Sequence, residues 1–189
     1  MLIGITGKAM AGKDTIGQYL CKMYGFHPKA FADPMRDALK VMFALGEKHF
    51  NGDKEFPIEW LGKSPRQLMQ TLGTEWGCDQ VHRQIWVLHM QRRIAGLLKA
   101  GGEVVITDVR YVDEAEMVHR LGGQIWRVTW PNGLTTAQAD HTSEQEGMRI
   151  VADVDLLNDG TVEDLHNKID DAMAIATISH ERGWTRSAA

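Results

Sequence analysis

Hydrophobic and polar positions along the chain fall into two alternating patterns. Five short apolar runs read as strands: Leu2 to Thr6, Lys29 to Ala32, Val104 to Thr107, Gln124 to Thr129 and Val154 to Leu157. Their near-continuous hydrophobic character fits strands covered on both faces. Between them stand helical patterns. Asp14 to Tyr24 runs up to Gly25, a favourable residue just past a helix end. Pro34 to Leu45 opens with Asp33 as its expected N-cap and Pro34 at the first helical position. Ser64-Pro65 repeats that start signal for a helix to Trp76, which Gly77 is expected to stop. Val81 to Ala100, Tyr111 to Leu121 and Thr161 to Ile178 complete the set. Strands alternating with helices predict an α/β fold, a doubly wound five-stranded parallel sheet flanked by helices.

Two stretches interrupt the alternation. Gly46 to Lys63 is polar and weakly patterned, with two helices after it, which predicts an inserted helical subdomain over residues 46–100. Pro131 to Gly147 is irregular and rich in Thr, Gln, Asp and Gly, which predicts a lid over residues 131–147. The 189 residues suit a single domain spanning 1–189 that carries both.

Composition narrows the chemistry. At 43% hydrophobic and 24% charged residues the chain can bury a real core. A formal charge of −4, with no run of Lys or Arg, argues against a nucleic-acid polymer as partner. Basic residues placed singly suit a small anionic substrate. Cys21 and Cys78 lie far apart, and the eight histidines have no metal-ligand spacing, so neither a disulfide framework nor a zinc site is expected. Met1 to Thr6 is too short for a signal peptide, and no apolar stretch reaches membrane-spanning length. The expected location is cytoplasmic, with no membrane partner and a homodimer left open.

The strongest motif is Gly7-Lys8-Ala9-Met10-Ala11-Gly12-Lys13-Asp14-Thr15, a GxxxxGK loop directly between a strand and a helix. Its glycines let backbone N–H groups turn inward around phosphate oxygens, and the helix N-terminus adds a favourable dipole. Gly7, Ala11, Gly12, Lys13, Asp14 and Thr15 are therefore the expected contacts of a nucleoside triphosphate, with Lys13 neutralising charge on the transferring phosphoryl. Asp14 stands where Ser or Thr usually offers a hydroxyl to Mg²⁺; a carboxylate can hold that ion directly or through water. Asp108, at the carboxyl end of a central strand, is the second candidate metal or acceptor-orienting group, and Arg110 is a planar fork matched to phosphate. An N-cap aspartate with a solvated arginine is the plainer alternative. Arg36 opens a helix where the dipole does not favour a cation, and Arg66, Gln70 and Gly73 follow i, i+4, i+7 spacing, a face able to take a phosphate, a base edge and a ring. Asn158 and Gly160 lie in a loop that could wrap the donor adenine with backbone groups, though a turn and N-cap explain it as well.

Taken together, the GKxxxGKDT loop, FADPMR, SPRQLMQTLGTEWG, TDVR followed by EAE, LGGQIWRV, HTSE and NDGTVEDL resemble the deoxynucleoside monophosphate kinases of tailed bacteriophages. The motifs run in the family's order over about Met1 to Ala172, and the aspartate at Asp14 is itself typical of that family. The resemblance implies a P-loop kinase fold and transfer of the ATP γ-phosphoryl, with Mg²⁺, to a dNMP. It implies that Lys13 and the loop amides hold ATP, and it makes Arg36, Arg66 and Arg110 candidates for the acceptor phosphate and Gln70 a candidate for the base of the dNMP. With the reading of the residues, the expected catalytic groups are Lys13, Asp108 and Arg110, and the insertion is expected to bind the acceptor. Cys78 departs from the pattern, which often has an arginine after TEWG; Arg83 is the substitute nearby. Kinases of the dephospho-coenzyme A or phosphomevalonate type, and a regulatory protein using ATP as a structural ligand, remain as rival readings of the residues.

Overall fold

The computed structural model describes residues 1–131 and 142–181, with side chains assigned except at 142–145 and 179–181. Its elements run β1 Leu2–Thr6, α1 Lys13–Tyr24, β2 His27–Lys29, α2 Asp33–Phe43 and α3 Lys48–Asn51. Next come α4 Pro65–Gln70, a π-helix Thr71–Val81, α5 Ile85–Lys99, β3 Val104–Ile106 and α6 Val112–Arg120. The chain continues through β4 Gln124–Thr129, α7 Thr142–Arg149, β5 Val154–Leu157 and α8 Val162–Glu181. All five strands are parallel, in the order β2-β3-β1-β4-β5, as the alternation predicts. Among the described residues no helix is long and apolar enough to cross a membrane.

Contacts divide the chain into two compact units, one of residues 1–30 with 91–189 and one of residues 31–90. The second begins and ends earlier than the expected 46–100. In the first unit every residue of β1 is buried, as a central strand with neighbours on both edges requires. Ile3 and Ile5 face a core with Ile16 and Leu20 of α1, Trp126 and Val128 of β4, and Leu165, Ile169 and Met173 of α8. On the opposite face a Cβ at Gly4 would lie 3.0 Å from Val109 and 3.2 Å from Val118, so α6 covers that side closely. The second unit has its own core of Leu39, Leu45 and Ile58, with Phe43, Phe50, Leu61, Leu68, Met69 and Leu72 around it.

Three local expectations are corrected. The second strand is His27–Lys29, two residues earlier than the apolar run Lys29 to Ala32. It is an edge strand bearing Pro28, which an edge tolerates because one side needs no N–H donor. Asp33 is not the cap: Ala32 holds that position, and its side chain has no group to accept a cap hydrogen bond. Gly77 does not stop the helix after Ser64, because the chain passes at Thr71 into the π-helix and runs on to Val81. The start signal of that helix holds: the Ser64 hydroxyl accepts from the Gln67 N–H, and the Gln67 amide oxygen accepts from the Ser64 N–H. Of the expected lid, residues 132–141 lie outside the described residues, and Thr142–Arg149 is helical rather than irregular.

Candidate active site

At the end of β1 the chain leaves the sheet through Gly7, at φ 143°, where a Cβ would sit 2.3 Å from the Val128 carbonyl oxygen. Gly12 closes the loop at φ 114°, against the Asn158 amide. Only glycine adopts both conformations cheaply. Met10 is left-handed too, at φ 62°, and stands on the crest of the loop with its side chain 83% exposed. A non-glycine there stores strain of about 1 kcal/mol. Gly12 is also the N-cap of α1 and offers no side-chain acceptor, so the helix start keeps the N–H donors that an anion would meet. The Lys13 ammonium folds back over the loop, donating to the Gly7 and Lys8 carbonyl oxygens at 2.7 Å each. Asp14 is exposed in the first turn.

The loop is braced from β5. Asn158 donates its side-chain N–H to the Ala11 carbonyl oxygen at 2.9 Å, while its backbone N–H is held by Thr129 at 2.8 Å. Its side chain thus supports the loop, a contact that the expectation of backbone adenine contacts did not include. The brace is itself fixed. Lys168 bonds the Leu157 carbonyl at 2.7 Å and the Asp159 carboxylate at 2.6 Å, and that bond holds the Asp159 carboxyl below its ordinary range. Thr161 and Asp164 cap α8 reciprocally. Further along, the Tyr19 and Tyr24 hydroxyls of α1 both donate to Asp170 of α8, and Tyr19 stacks on His166 with ring centroids 4.0 Å apart. The helix after the loop is clamped to the helix after the brace.

The β3 loop carries the other expected groups. Val109 is 1% exposed and donates to the Ile5 carbonyl of β1, whereas the Arg110 side chain next to it is exposed. Beneath lies Glu114, a residue outside the expected site. Its Oε2 accepts from the backbone N–H of Arg110 at 2.7 Å and of Tyr111 at 3.1 Å. Among the described residues the buried polar or charged side chains are Thr6, Ser64 and Glu114. Burial pushes the Glu114 carboxyl up to about 8, with the nearby charges of Asp108 and Asp113 adding to the rise and the two N–H bonds opposing it. A Glu three residues into a helix reads as an ordinary cap; its burial was not legible.

Lys13, Asp14, Asp108, Arg110, Asn158 and Gly160 belong to the first unit, and Arg36, Arg66 and Gln70 to the second. Arg36 approaches Asp33 at 3.8 Å, and Arg66 is bonded to Glu55. Arg66 and Gln70 are both exposed on α4. Gly73 does not extend their face by an ordinary helical step, because it lies in the π-helix, wound on i→i+5 bonds. Its carbonyl accepts the Trp86 indole N–H at 2.8 Å, and a Cβ would meet Met35 sulfur at 2.8 Å, so this glycine serves packing. Among the described residues no three His, Cys, Asp or Glu side chains gather into a metal cluster.

Comparison with known proteins adds independent findings. The sequence pattern of the family described as "Deoxynucleotide monophosphate kinase" matches residues 58–169. The "Putative deoxynucleotide monophosphate kinase" of Acanthamoeba polyphaga mimivirus is 32% identical over 183 residues, covering 89% of this chain and 94% of that protein. The "Deoxynucleoside-5'-monophosphate kinase" of Escherichia phage T5 is 34% identical over 124 residues, 59% of this chain and 48% of that one. Among solved structures, shikimate kinase from Aquifex aeolicus superposes with a TM-score of 0.55 at 13% identity, covering 94% of this chain and 99% of its own. Dephospho-CoA kinase from Campylobacter jejuni gives 0.53 at 12% identity, covering 92% and 95%. These two likenesses speak to the fold alone, which is that of P-loop kinases.

Proposed function

The chain belongs to the deoxynucleotide monophosphate kinase family, and from that premise we propose that it transfers the γ-phosphoryl of ATP to a dNMP, giving dNDP and ADP. That it is a kinase of deoxynucleoside monophosphates follows from the family; the donor, the metal and the residue roles are this proposal. The observation that carries the donor site is the Lys13 ammonium held across the loop mouth by two carbonyls at 2.7 Å. Those are the bonds an ammonium exchanges for charged phosphate oxygens, which are stronger acceptors.

In the reaction an oxygen of the dNMP phosphate attacks the γ-phosphorus while the bond to the β–γ bridging oxygen breaks and ADP leaves. Such transfer needs little covalent help, and positioning with charge neutralisation carries it. Gly7, Ala11, Gly12, Asp14 and Thr15 cradle the donor with Lys13, and Asn158 and Gly160 belong to the brace beside them. Arg110, Arg36 and Arg66 take the acceptor phosphate and Gln70 its base, as singly placed cations and an amide suit a small dianion. Mg²⁺ suits carboxylate oxygens: Asp14, exposed in the first turn of α1, and Asp108, in the loop after β3, would hold it alongside the nucleotide's phosphates, the usual arrangement for this ion. When bound it would neutralise charge on the phosphates. Asp108 orients the acceptor side.

A coupled assay of ADP release across all dNMPs and NMPs tests the reading. The expected result is ATP turnover that rises on adding at least one dNMP; a rate that stays flat with every dNMP overturns it and favours a non-catalytic nucleotide-binding role.

A further inference from the structure

We infer that Glu114 is a positioning residue for Arg110, fixing the backbone from which the guanidinium reaches the acceptor phosphate. The inference rests on the acceptor role proposed for Arg110 and goes beyond it. A capping glutamate ordinarily returns to the N–H of the N-cap residue, here Tyr111. In this chain the shorter bond, 2.7 Å, reaches one residue further back, to Arg110 itself, and both bonds end on the same oxygen, Oε2. The cap therefore holds the arginine as well as the helix.

Three further observations point the same way. Val109, just before Arg110, is buried and tied to the central strand through the Ile5 carbonyl. On the carbonyl side, a Cβ at Gly147 of α7 would lie 3.7 Å from the Arg110 oxygen, so a second helix packs there. The arginine root is thus held from three directions while its side chain stays exposed. Finally, Glu114 is buried beside like charges, where a carboxyl is costly to keep and an exposed glutamate would cap α6 equally well. A fixed root spares the guanidinium part of the ordering cost of capture, and a small displacement there misplaces the phosphate.

The test compares Glu114→Ala, Arg110→Ala and the double variant in the whole chain, reading KM for dNMP and for ATP separately with circular dichroism as a folding check. Glu114→Ala should raise KM for dNMP about tenfold or more and leave KM for ATP within about twofold. In the Arg110→Ala background the same change should add almost nothing, because its effect runs through the missing guanidinium. If Arg110→Ala spares dNMP, the acceptor role proposed for that arginine falls. If Arg110→Ala weakens dNMP use while folded Glu114→Ala does not, or if the two effects simply add, the positioning role falls instead. Should Glu114→Ala fail to fold, Glu114→Gln and Glu114→Asp decide the matter. Glutamine retains an oxygen for both N–H groups and should keep KM for dNMP near that of the parent, while aspartate, one methylene shorter, should raise it. Equal behaviour of the two overturns the inference.

Discussion

At the scale of single residues, the setting of Lys13 was legible because its motif is local: strand, glycine loop and helix follow one another in the chain. Lys13→Ala should abolish turnover and leave the fold intact, since the side chain is not part of the buried core and donates to the loop carbonyls of Gly7 and Lys8. Turnover and circular dichroism measured together check it, and near-normal turnover in a folded variant would sink the P-loop assignment. Glu114 is the opposite case, since a cap glutamate looks alike in sequence whether buried or exposed. Its carboxyl is raised from 4.5 to about 8 in the folded chain. The folded state therefore holds a proton that the unfolded chain has lost between those values. The sign follows: the contribution to stability is full below about pH 4.5, declines as pH rises and is gone above about pH 8. Glu114→Gln removes that slope. Denaturant midpoints of parent and variant should diverge in this sense between pH 5 and pH 8, and parallel curves would contradict the buried, protonated carboxyl.

At the scale of elements, the apolar strands β1, β3, β4 and β5 and the Ser64 helix start were readable, whereas β2 and the π-helix were not. An edge strand needs few apolar residues, so His27-Pro28-Lys29 carries no hydrophobic signal, and its pairing with β3 is decided across the sheet. The π-helix depends on what Gly73 and Gly77 touch. A Cβ at Gly77 would come within 2.7 Å of the Trp86 ring and 3.0 Å of the Leu72 carbonyl, while one at Gly96 in α5 meets nothing within 4 Å. Gly77→Ala should therefore destabilise by about 1–3 kcal/mol, and Gly96→Ala should stabilise by roughly 0.5–1 kcal/mol. Thermal midpoints moving in opposite directions check the pair. The brace between the β5 loop and the P-loop makes a functional prediction. Asn158→Ala leaves the Ala11 carbonyl without its amide partner, so KM for ATP should rise about tenfold with KM for dNMP little changed. Asn158→Asp should do worse, because a carboxylate faces that carbonyl with no proton to donate. Titrations showing a loss confined to dNMP would refute the bracing role.

At the scale of the whole molecule, the order β2-β3-β1-β4-β5 brings together loops that lie far apart in sequence. The loop after β1 carries Lys13, that after β3 carries Asp108 and Arg110, and that after β5 carries Asn158, all at carboxyl ends of parallel strands where open α/β sheets bind ligands. Donor and acceptor roles should then separate by loop. Arg110→Ala should weaken dNMP use about ten- to a hundredfold and spare ATP, since a charge-assisted contact is worth roughly 1.5–3 kcal/mol. Arg110→Lys should rescue only part, because a point charge lacks the bidentate fork. Separate titrations of ATP and dNMP decide it, and a loss confined to ATP would reverse the assignment. The sequence by itself determined the fold class, the glycine loop between β1 and α1 and the family, because strand-helix alternation, glycine spacing and motif order are written in neighbouring residues. Only the tertiary structure decided that Asn158 braces the loop, that Glu114 is buried under Arg110, and that the helix after Ser64 continues as a π-helix. Each of these depends on partners distant in the chain or on burial, and a carboxylate or amide in sequence carries no mark of which backbone group it will meet.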